Sequence, residues 1–285
     1  MKYESARAFR QALEVRIRQD YDGNQIPRIR KMIAFERLMA RLSRRWVLKG
    51  GYAIQLRTDK ARSTQDVDLS VADISYHDIE KVLRQELNQD LDDYFEFVIS
   101  ESTTIGAGEQ SLRFQVTSRV AGRAFERFHV DVGYTDPLFE PIDLLTPPSF
   151  LEFAQVEASM ILCYSIFQHI AEKIHAIVRP RTRESSRVKD LVDLILLAGL
   201  DTHIDVDSLG EVVELVFHNR ADPIPNSFDK FPASWHPRYN RLAQEHQLPF
   251  LEFDDAYQAA SEFITPVISR NAVGLIWDPK CWQWG

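Results

Sequence analysis

The sequence predicts an α+β protein of two lobes, the N-terminal one built on a mixed β-sheet with flanking helices and the C-terminal one mainly α-helical. Three observations predict it. Apolar residues recur at spacings of three and four over residues 6–45 and again from residue 166 onward, the period of an amphipathic helix. Between these stretches, segments such as Asp66-Val67-Asp68-Leu69-Ser70-Val71 alternate strictly, the period of a strand with one buried face. The pattern then changes after Thr146-Pro147-Pro148, which divides the chain into domains 1–150 and 151–285.

Each element follows from its local pattern. Phe35, Leu38, Met39 and Leu42 carry the helical spacing of the first 45 residues. Trp46-Val47-Leu48 is a short apolar run ending at Lys49-Gly50-Gly51, and a short helix begins near Ala53. Residues 66–71 read as a strand, 76–87 as a helix, and 95–100, 112–120 and 124–134 as three further strands, with Ala121-Gly122 a tight hairpin turn between the last two. Gly106-Ala107-Gly108 lacks the third glycine of a dinucleotide loop and reads as a plain loop. In the second half, residues 166–178, 185–197, 208–217 and 254–269 read as helices. The proline-rich stretch 223–249 reads as irregular, and the tail GLIWDPKCWQWG, with three tryptophans, reads as docked on the protein body rather than stacking on nucleobases.

Composition narrows the class. With 45% hydrophobic and 27% charged residues over 285 positions, the chain is neither disordered, collagen-like nor a disulfide scaffold. Cys163 and Cys281 form no CxxC pair and no cysteine zinc site. The charged N-terminus is unlike a signal peptide, and the apolar stretches 158–167 and 194–200 are too short to span a bilayer. The expectation is a cytoplasmic protein with no membrane partner. Although the net charge is −8, residues 1–62 hold 16 Lys or Arg against 6 Asp or Glu. Two readings stay open for this basic third: an electropositive surface for a polyanion, or helices with arginines on a solvated face. A second basic cluster comprises Arg179, Arg181, Arg183, Arg187 and Lys189.

The chemistry concentrates on a few residues. In a strand, Asp66 and Asp68 project to one face while Val67 turns to the core. Two carboxylates on one face repel unless a cation lies between them, and oxygen ligands of this kind suit Mg²⁺ with substrate phosphate. Gly50 and Gly51, lacking a Cβ, let backbone N–H groups approach a phosphate at a helix N-terminus. Asp131, in Phe128-His129-Val130-Asp131-Val132, repeats the apolar–acid–apolar setting and completes an acidic set suited to metal-assisted phosphoryl or nucleotidyl transfer. Asp190 and Asp193, three apart, share a helix face among apolar residues, and Lys173 or Arg187 supplies the partner such acids need. The alternative there is a structural salt bridge between packed helices. His169 and His175 make no zinc pair, so His175 reads as packing or capping.

KGGYAIQLR followed by RSTQDVDLSV resembles the AbiEii-type nucleotidyltransferase toxins, a branch of the DNA polymerase β-like superfamily. IAEKIHAI and SRVKDLVDLILL are similar to that family's lysine-containing helix and its (K/R)DLxDL helix, and length and motif order are those of MenT-like toxins. The resemblance covers roughly residues 46–71, 123–134 and 166–197. It implies that Asp66, Asp68 and Asp131 hold Mg²⁺ or Mn²⁺, and that Asp66, Asp68, Lys173 and Asp193 are catalytic, with Lys173 on the triphosphate and Asp193 holding it in place. Lys49, Gly50, Gly51, Arg62, Thr64, Arg187 and Asp190 are implied to form the nucleotide site, in a cleft between the lobes. Phosphorylation of Thr64 would set negative charge against that site.

The implied activity is transfer of a nucleoside monophosphate from an NTP to RNA, foremost the 3′ end of tRNA, by a toxin countered by a cognate antitoxin. DNA is not an expected partner. The alternatives are transfer to a protein or small molecule, and an inert nucleotide- or RNA-binding module.

Overall fold

In a computed structural model of the chain, which describes residues 2–105, 111–179, 187–225 and 231–285, the helical spacing of the first 45 residues resolves into two helices. Helix α1 (Ala6–Asp20) begins where the Ser5 hydroxyl accepts the Ala8 amide at 3.3 Å, and it buries Phe9, Leu13 and Ile17, each four residues from the last. The break falls at Asp22-Gly23. Helix α2 (Ile26–Met39) carries Pro27 in its first turn, where a missing N–H has no intrahelical partner to lose.

The sheet follows in the order β1 (Trp46–Lys49), β2 (Asp66–Val71), β3 (Phe95–Ile99), β4 (Thr103–Ile105), β5 (Ser111–Val120), β6 (Arg123–Gly133), β7 (Asp143–Leu145) and β8 (Ile161–Cys163). Helix α3 (Gly50–Arg57) links β1 to the loop before β2, and α4 (Ile79–Leu87) lies between β2 and β3. Across the sheet the strands run β3-β5-β6-β2-β1-β8-β7, with β4 also on β5. Strand β2 pairs with β6, and β1 with β8, in parallel; the other pairings are antiparallel. Ala121 and Gly122 both take positive φ, 54° and 70°, as the two-residue turn between β5 and β6 requires. A β-bulge at Ser118/Arg119 then shifts the register of this hairpin, leaving Phe125 as the extra residue. Helix α2 covers the sheet through Phe35, whose ring meets Phe128 at 4.9 Å and Tyr52 at 5.1 Å, each edge-on.

Strands β4, β7 and β8 were not foreseen, because three residues are too few to show a period. Strands β7 and β8 carry the sheet unit onward to Cys163. The chain divides into two compact units: Met1–Leu56, Ser63–Leu138 and Ile142–Cys163 in the first, and Arg57–Arg62, Phe139–Pro141 and Tyr164–Gly285 in the second.

The second unit contains α5 (Ile166–Val178), α6 (Val188–Ala198), α7 (Val206–Asn219), α8 (Trp235–Glu245) and α9 (Phe253–Ser269), followed by the short strands β9 (Trp277–Asp278) and β10 (Gln283–Trp284). Ser165 caps α5 and Asp205 caps α7, each accepting an amide from three residues on. Helix α8 corrects the reading of 223–249 as irregular throughout. Trp235, Tyr239, Leu242 and Ala243 are buried on one face, and Pro237 sits in the first turn, where a helix tolerates it. The tail is docked within its own unit: the indole N–H groups of Trp277, Trp282 and Trp284 donate to the carbonyls of Ala198, Ala259 and Phe263 at 2.7, 3.0 and 3.1 Å.

Several arginines of the basic N-terminal third are internal wiring. Arg10 donates to the carbonyls of Val120, Arg123 and Ala124 across the hairpin turn, and Arg30 bonds Glu14, Glu126 and the Phe125 carbonyl. The Arg41 side chain is fully buried against Asp93. Its N–H groups reach both Asp93 oxygens (2.6 and 2.9 Å) and the carbonyls of Arg37, Gln89 and Phe95. For these residues neither the polyanion surface nor the solvated helix face holds; they tie helices to the sheet. Of the second basic cluster, Arg179 pairs with Asp222 and Arg187 with Asp190, while Arg181 and Arg183 lie outside the described residues, as does Gly106-Ala107-Gly108.

Candidate active site

Four neighbouring strands set one row of charges across the sheet. The register places Lys49 of β1 opposite Asp68 of β2, Asp68 beside Asp131 of β6, and Asp131 opposite Arg113 of β5. Directly paired residues share a face, so the row reads cation, acid, acid, cation. Two residues along, Asp66 lies beside His129, whose Nδ1 is 3.2 Å from Asp66 Oδ1. Val67 and Leu69, on the opposite face of β2, are fully buried in the core. The alternation read from the sequence therefore does what it predicts: Asp66 and Asp68 face away from the core on the same side.

The flanking cations are engaged differently. Arg113 grips Asp131 with a two-pronged contact, Nε to Oδ1 at 2.7 Å and Nη2 to Oδ2 at 2.6 Å. That hydrogen bonding, joined by attraction to Asp131, Asp66 and Asp68, outweighs partial burial and holds the guanidinium pKa above its ordinary value. The Lys49 ammonium bonds the carboxylate of Asp136, three residues beyond the end of β6. Helix α3 begins at Gly50 itself, with φ at +66°, and a Cβ there would fall on the Asp68 carboxylate. Gly50 is thus required twice, by backbone conformation and by the close approach of Asp68. Thr64 is buried, with its hydroxyl donating to the Asp66 carbonyl at 3.2 Å. It braces the start of β2, which runs against the expectation that it is a phosphorylation site.

Asp66 and Asp68 offer hard oxygen donors of the type Mg²⁺ takes, and Mg²⁺ usually completes its shell with water and substrate phosphate. Among the described residues no three of His, Cys, Asp and Glu gather into a ready-made cage. The donor set fits an ion held by two carboxylates and its substrate, with Asp131 already occupied by Arg113.

The second unit holds a separate cluster. Lys173 of α5 places Nζ 2.9 Å from Asp190 and 2.8 Å from Asp193, both on α6. Arg62 bonds both oxygens of Asp193 at 3.1 and 3.2 Å, and Arg187 lies 3.5 Å from Asp190. Three cations thus gather on two carboxylates. Burial alone would push the Lys173 ammonium down, but Asp193 and Asp190 outweigh it and hold its pKa above the ordinary lysine value. Burial likewise pushes Asp193 up, and Lys173 with Arg62 brings it below the ordinary carboxylate value. One turn before Lys173, His169 is buried with neither ring nitrogen hydrogen-bonded, and burial, followed by the charges of Lys173 and Arg57, pulls its pKa down to about 3. His175 packs edge-on against Phe217 and pairs with Asp222 at 2.8 Å, a packing role as expected.

Arg113, His129 and Asp136 were missed in the sequence. His129 and Asp136 had a signal: His129 is two residues before Asp131 on the same strand face, and Asp136 closely follows β6. Arg113 had none. Counted back from the Ala121-Gly122 turn, an unbroken ladder sets Arg113 opposite Val130; only the bulge brings it opposite Asp131.

A mixed sheet with an acid–x–acid strand beside a Gly-Gly helix start, and a lysine–aspartate helix pair, defines the class of nucleotidyltransferase-like proteins. The structure is similar to MenT4, a nucleotidyltransferase toxin of Mycobacterium tuberculosis, with a TM-score of 0.57 and 15% identity over 98% of this chain and 93% of that one. A weaker likeness, TM-score 0.46 and 11% identity, covers 88% of this chain and 94% of JHP933 from Helicobacter pylori. At 15% identity the likeness to MenT4 is one of fold. A search of curated protein sequences found no match.

The family model of the nucleotidyl transferase AbiEii toxins, of type IV toxin–antitoxin systems, matches residues 36–260, and the chain belongs to that family. It is a nucleotidyltransferase toxin of a system that includes a cognate antitoxin. Among the described residues no helix is long and apolar enough to cross a membrane.

Proposed function

We propose that the protein is a metal-dependent enzyme of the cytoplasm that moves a nucleoside monophosphate from an NTP onto an RNA hydroxyl, the 3′ end of tRNA being the foremost acceptor. The acceptor oxygen bonds to the α-phosphorus, the bond from that phosphorus to the β-bridging oxygen breaks, pyrophosphate leaves, and the hydroxyl proton passes to water. The observation that carries this reading is the pair Asp66 and Asp68, aimed to one side of β2 against a helix start kept open by Gly50. Mg²⁺ or Mn²⁺ held by these carboxylates would supply activation of the acceptor oxygen and neutralisation of developing charge. Backbone N–H groups of Gly50 and Gly51 at the α3 N-terminus bind phosphate oxygens, and Lys49, Arg62 and Thr64 shape and brace the nucleotide site. Lys173 binds the triphosphate and offsets charge on the departing pyrophosphate, oriented by Asp190 and Asp193, with Arg187 sharing Asp190.

The RNA acceptor rests on likeness to the family's motifs more than on surface charge. The internal use of Arg10, Arg30 and Arg41 favours a second reading, in which the acceptor is a protein hydroxyl or a small molecule without a phosphate backbone. Incubation with Mg²⁺, each labelled NTP and total RNA, beside Asp66→Ala and Lys173→Met proteins, tests the proposal. Label in one RNA size class, lost in both variants while both remain folded, is the expected result. Label on protein selects the second reading, and transfer that survives Asp66→Ala removes the metal assignment.

A further inference from the structure

The face of the sheet that carries Asp66 stays open along β5 and β6 well beyond the acids. On one side of this hairpin Phe114, Val116, Phe128 and Val130 are buried in the core. The side chains between them face the other way: Gln115, Arg119 and Arg127 are exposed, and Thr117 and His129 are half-buried. The register sets His129 opposite Gln115 and Arg127 opposite Thr117, with Arg119 two residues further along β5. At about 3.4 Å per residue, the backbone of Arg127 lies ~7 Å beyond the row that holds Asp66 and His129, and that of Arg119 about 14 Å beyond it. Neither arginine side chain makes a hydrogen bond or an ion pair with any described residue, unlike Arg10, Arg30 and Arg41. Glu96 of β3 stands opposite Arg119 in the ladder, but no ion pair joins them. The bulge at Phe125 brings the two arginines to one face: in an unbroken ladder Arg127 would stand opposite Val116, on the buried side. The result is a line of two unpaired guanidiniums, one strand apart, leading away from the candidate active site. Adjacent strands are only about 4.8 Å apart, so the line is wide enough for one phosphate backbone and too narrow for the two of a duplex.

We propose that this open face is the track for the acceptor: a single-stranded RNA end lies along β5 and β6, with phosphates on Arg127 and Arg119 and its terminal hydroxyl delivered beside Asp66. This rests on the RNA-acceptor reading above and adds where that acceptor lies. A guanidinium fork binds phosphate oxygens whatever the base, and its plane stacks on unpaired bases, so the track holds a strand without choosing its sequence. Glu96, at the outer border, repels a phosphate backbone and keeps it over β5 and β6.

The test follows binding and transfer together. A short fluorescein-labelled single-stranded RNA with a free 3′ hydroxyl is titrated with the full-length protein and read by fluorescence anisotropy over a range of salt, with folding of each variant checked by thermal melting. Each phosphate contact to a single strand contributes about 0.7 to the slope of log affinity against log salt. Arg119→Gln/Arg127→Gln should therefore lower the slope by ~1.4 and weaken binding on the order of 20-fold at about 0.1 M salt. Its KM for the RNA acceptor should rise by a similar factor, with labelled-NTP binding unchanged. Arg7→Gln/Arg18→Gln removes the same two charges from exposed positions of α1, on the helix-covered side of the sheet, and should bind RNA as the wild type does. A double variant at Arg119 and Arg127 with wild-type affinity and slope overturns the track, as does an equal loss in the α1 control or a wild type that fails to bind the probe. In those cases label that still enters RNA leaves the acceptor reading standing. Label on protein, or none on RNA, from the wild type overturns the RNA acceptor itself, and the track with it.

Discussion

Replacing Gly50 by alanine separates two costs that usually arrive together. At φ +66° any L residue pays on the order of 1–2 kcal/mol for the left-handed conformation. At Gly50 the three atoms nearest an added Cβ all belong to Asp68, so the carboxylate itself must give way. Gly122, at φ +70°, pays the same conformational cost, but an added Cβ meets nothing within 4 Å. Gly122→Ala should therefore lose about 1–2 kcal/mol in urea unfolding, and Gly50→Ala more, because the Asp68 side chain must also be displaced. They should differ in catalysis. Moving a reacting-site group by about 1 Å typically costs on the order of 100-fold, or ~2.7 kcal/mol of barrier. Labelled-NTP incorporation should fall by about that factor in Gly50→Ala and by less than roughly threefold in Gly122→Ala. Gly50→Ala with near-normal transfer would show that Asp68 need not stand where the structure puts it. Equal losses in the two variants would show that backbone strain alone accounts for the effect.

Two further outcomes follow from buried charge. Arg41→Met strands Asp93 and three backbone carbonyls and should cost about 3–5 kcal/mol in urea unfolding, with Arg41→Lys recovering little because an ammonium cannot span both Asp93 oxygens; a loss below about 1 kcal/mol would mean that Arg37 alone suffices for Asp93. His169 stays neutral in the fold, with its pKa pulled down to about 3, while the unfolded chain protonates it near 6.5. Between those values the unfolded state binds the extra proton, so stability falls as pH falls, by up to about 1.4 kcal/mol per pH unit. His169→Gln should flatten the stability-against-pH curve between pH 6 and pH 4 by roughly one proton, and parallel curves for the two proteins would contradict the buried neutral imidazole.

What the sequence showed of this fold tracks how local each feature is. Strands β2, β3, β5 and β6 are long enough for their alternation to show, and the β5–β6 turn has its own signature in Ala121-Gly122. Strands β4, β7 and β8 are held by their neighbours in the sheet, and three residues carry no period of their own. Helix α8 was legible in Trp235, Tyr239 and Leu242 but was hidden by its proline. The common face of Asp66 and Asp68 follows from strand geometry alone, and the meeting of Lys173 with Asp190 and Asp193 from helix spacing together with family motifs. Arg113 is the opposite case: its place depends on one extra residue, Phe125, six positions before Asp131, which shifts the ladder so that Arg113 lies opposite Asp131 rather than Val130.

The same distinction governs charge. A count of 16 basic residues among the first 62 treats every arginine as a contribution to surface potential. In the fold, an arginine that bonds two carboxylates, as Arg30 does, has its charge cancelled within hydrogen-bond distance, and one that is fully enclosed, as Arg41 is, contributes to holding α2 on the sheet. An acceptor can be attracted only by charge that remains unbalanced at a surface, so the tally overstates the case for a polyanion. In the second unit, Lys173, Arg62 and Arg187 gather compactly around Asp190 and Asp193. So compact a cluster suits one anionic group of a nucleotide better than the long phosphate track of an RNA. On the function proposed above, a triphosphate is what such a cluster would meet, and acceptor choice would then come from shape and hydrogen bonding.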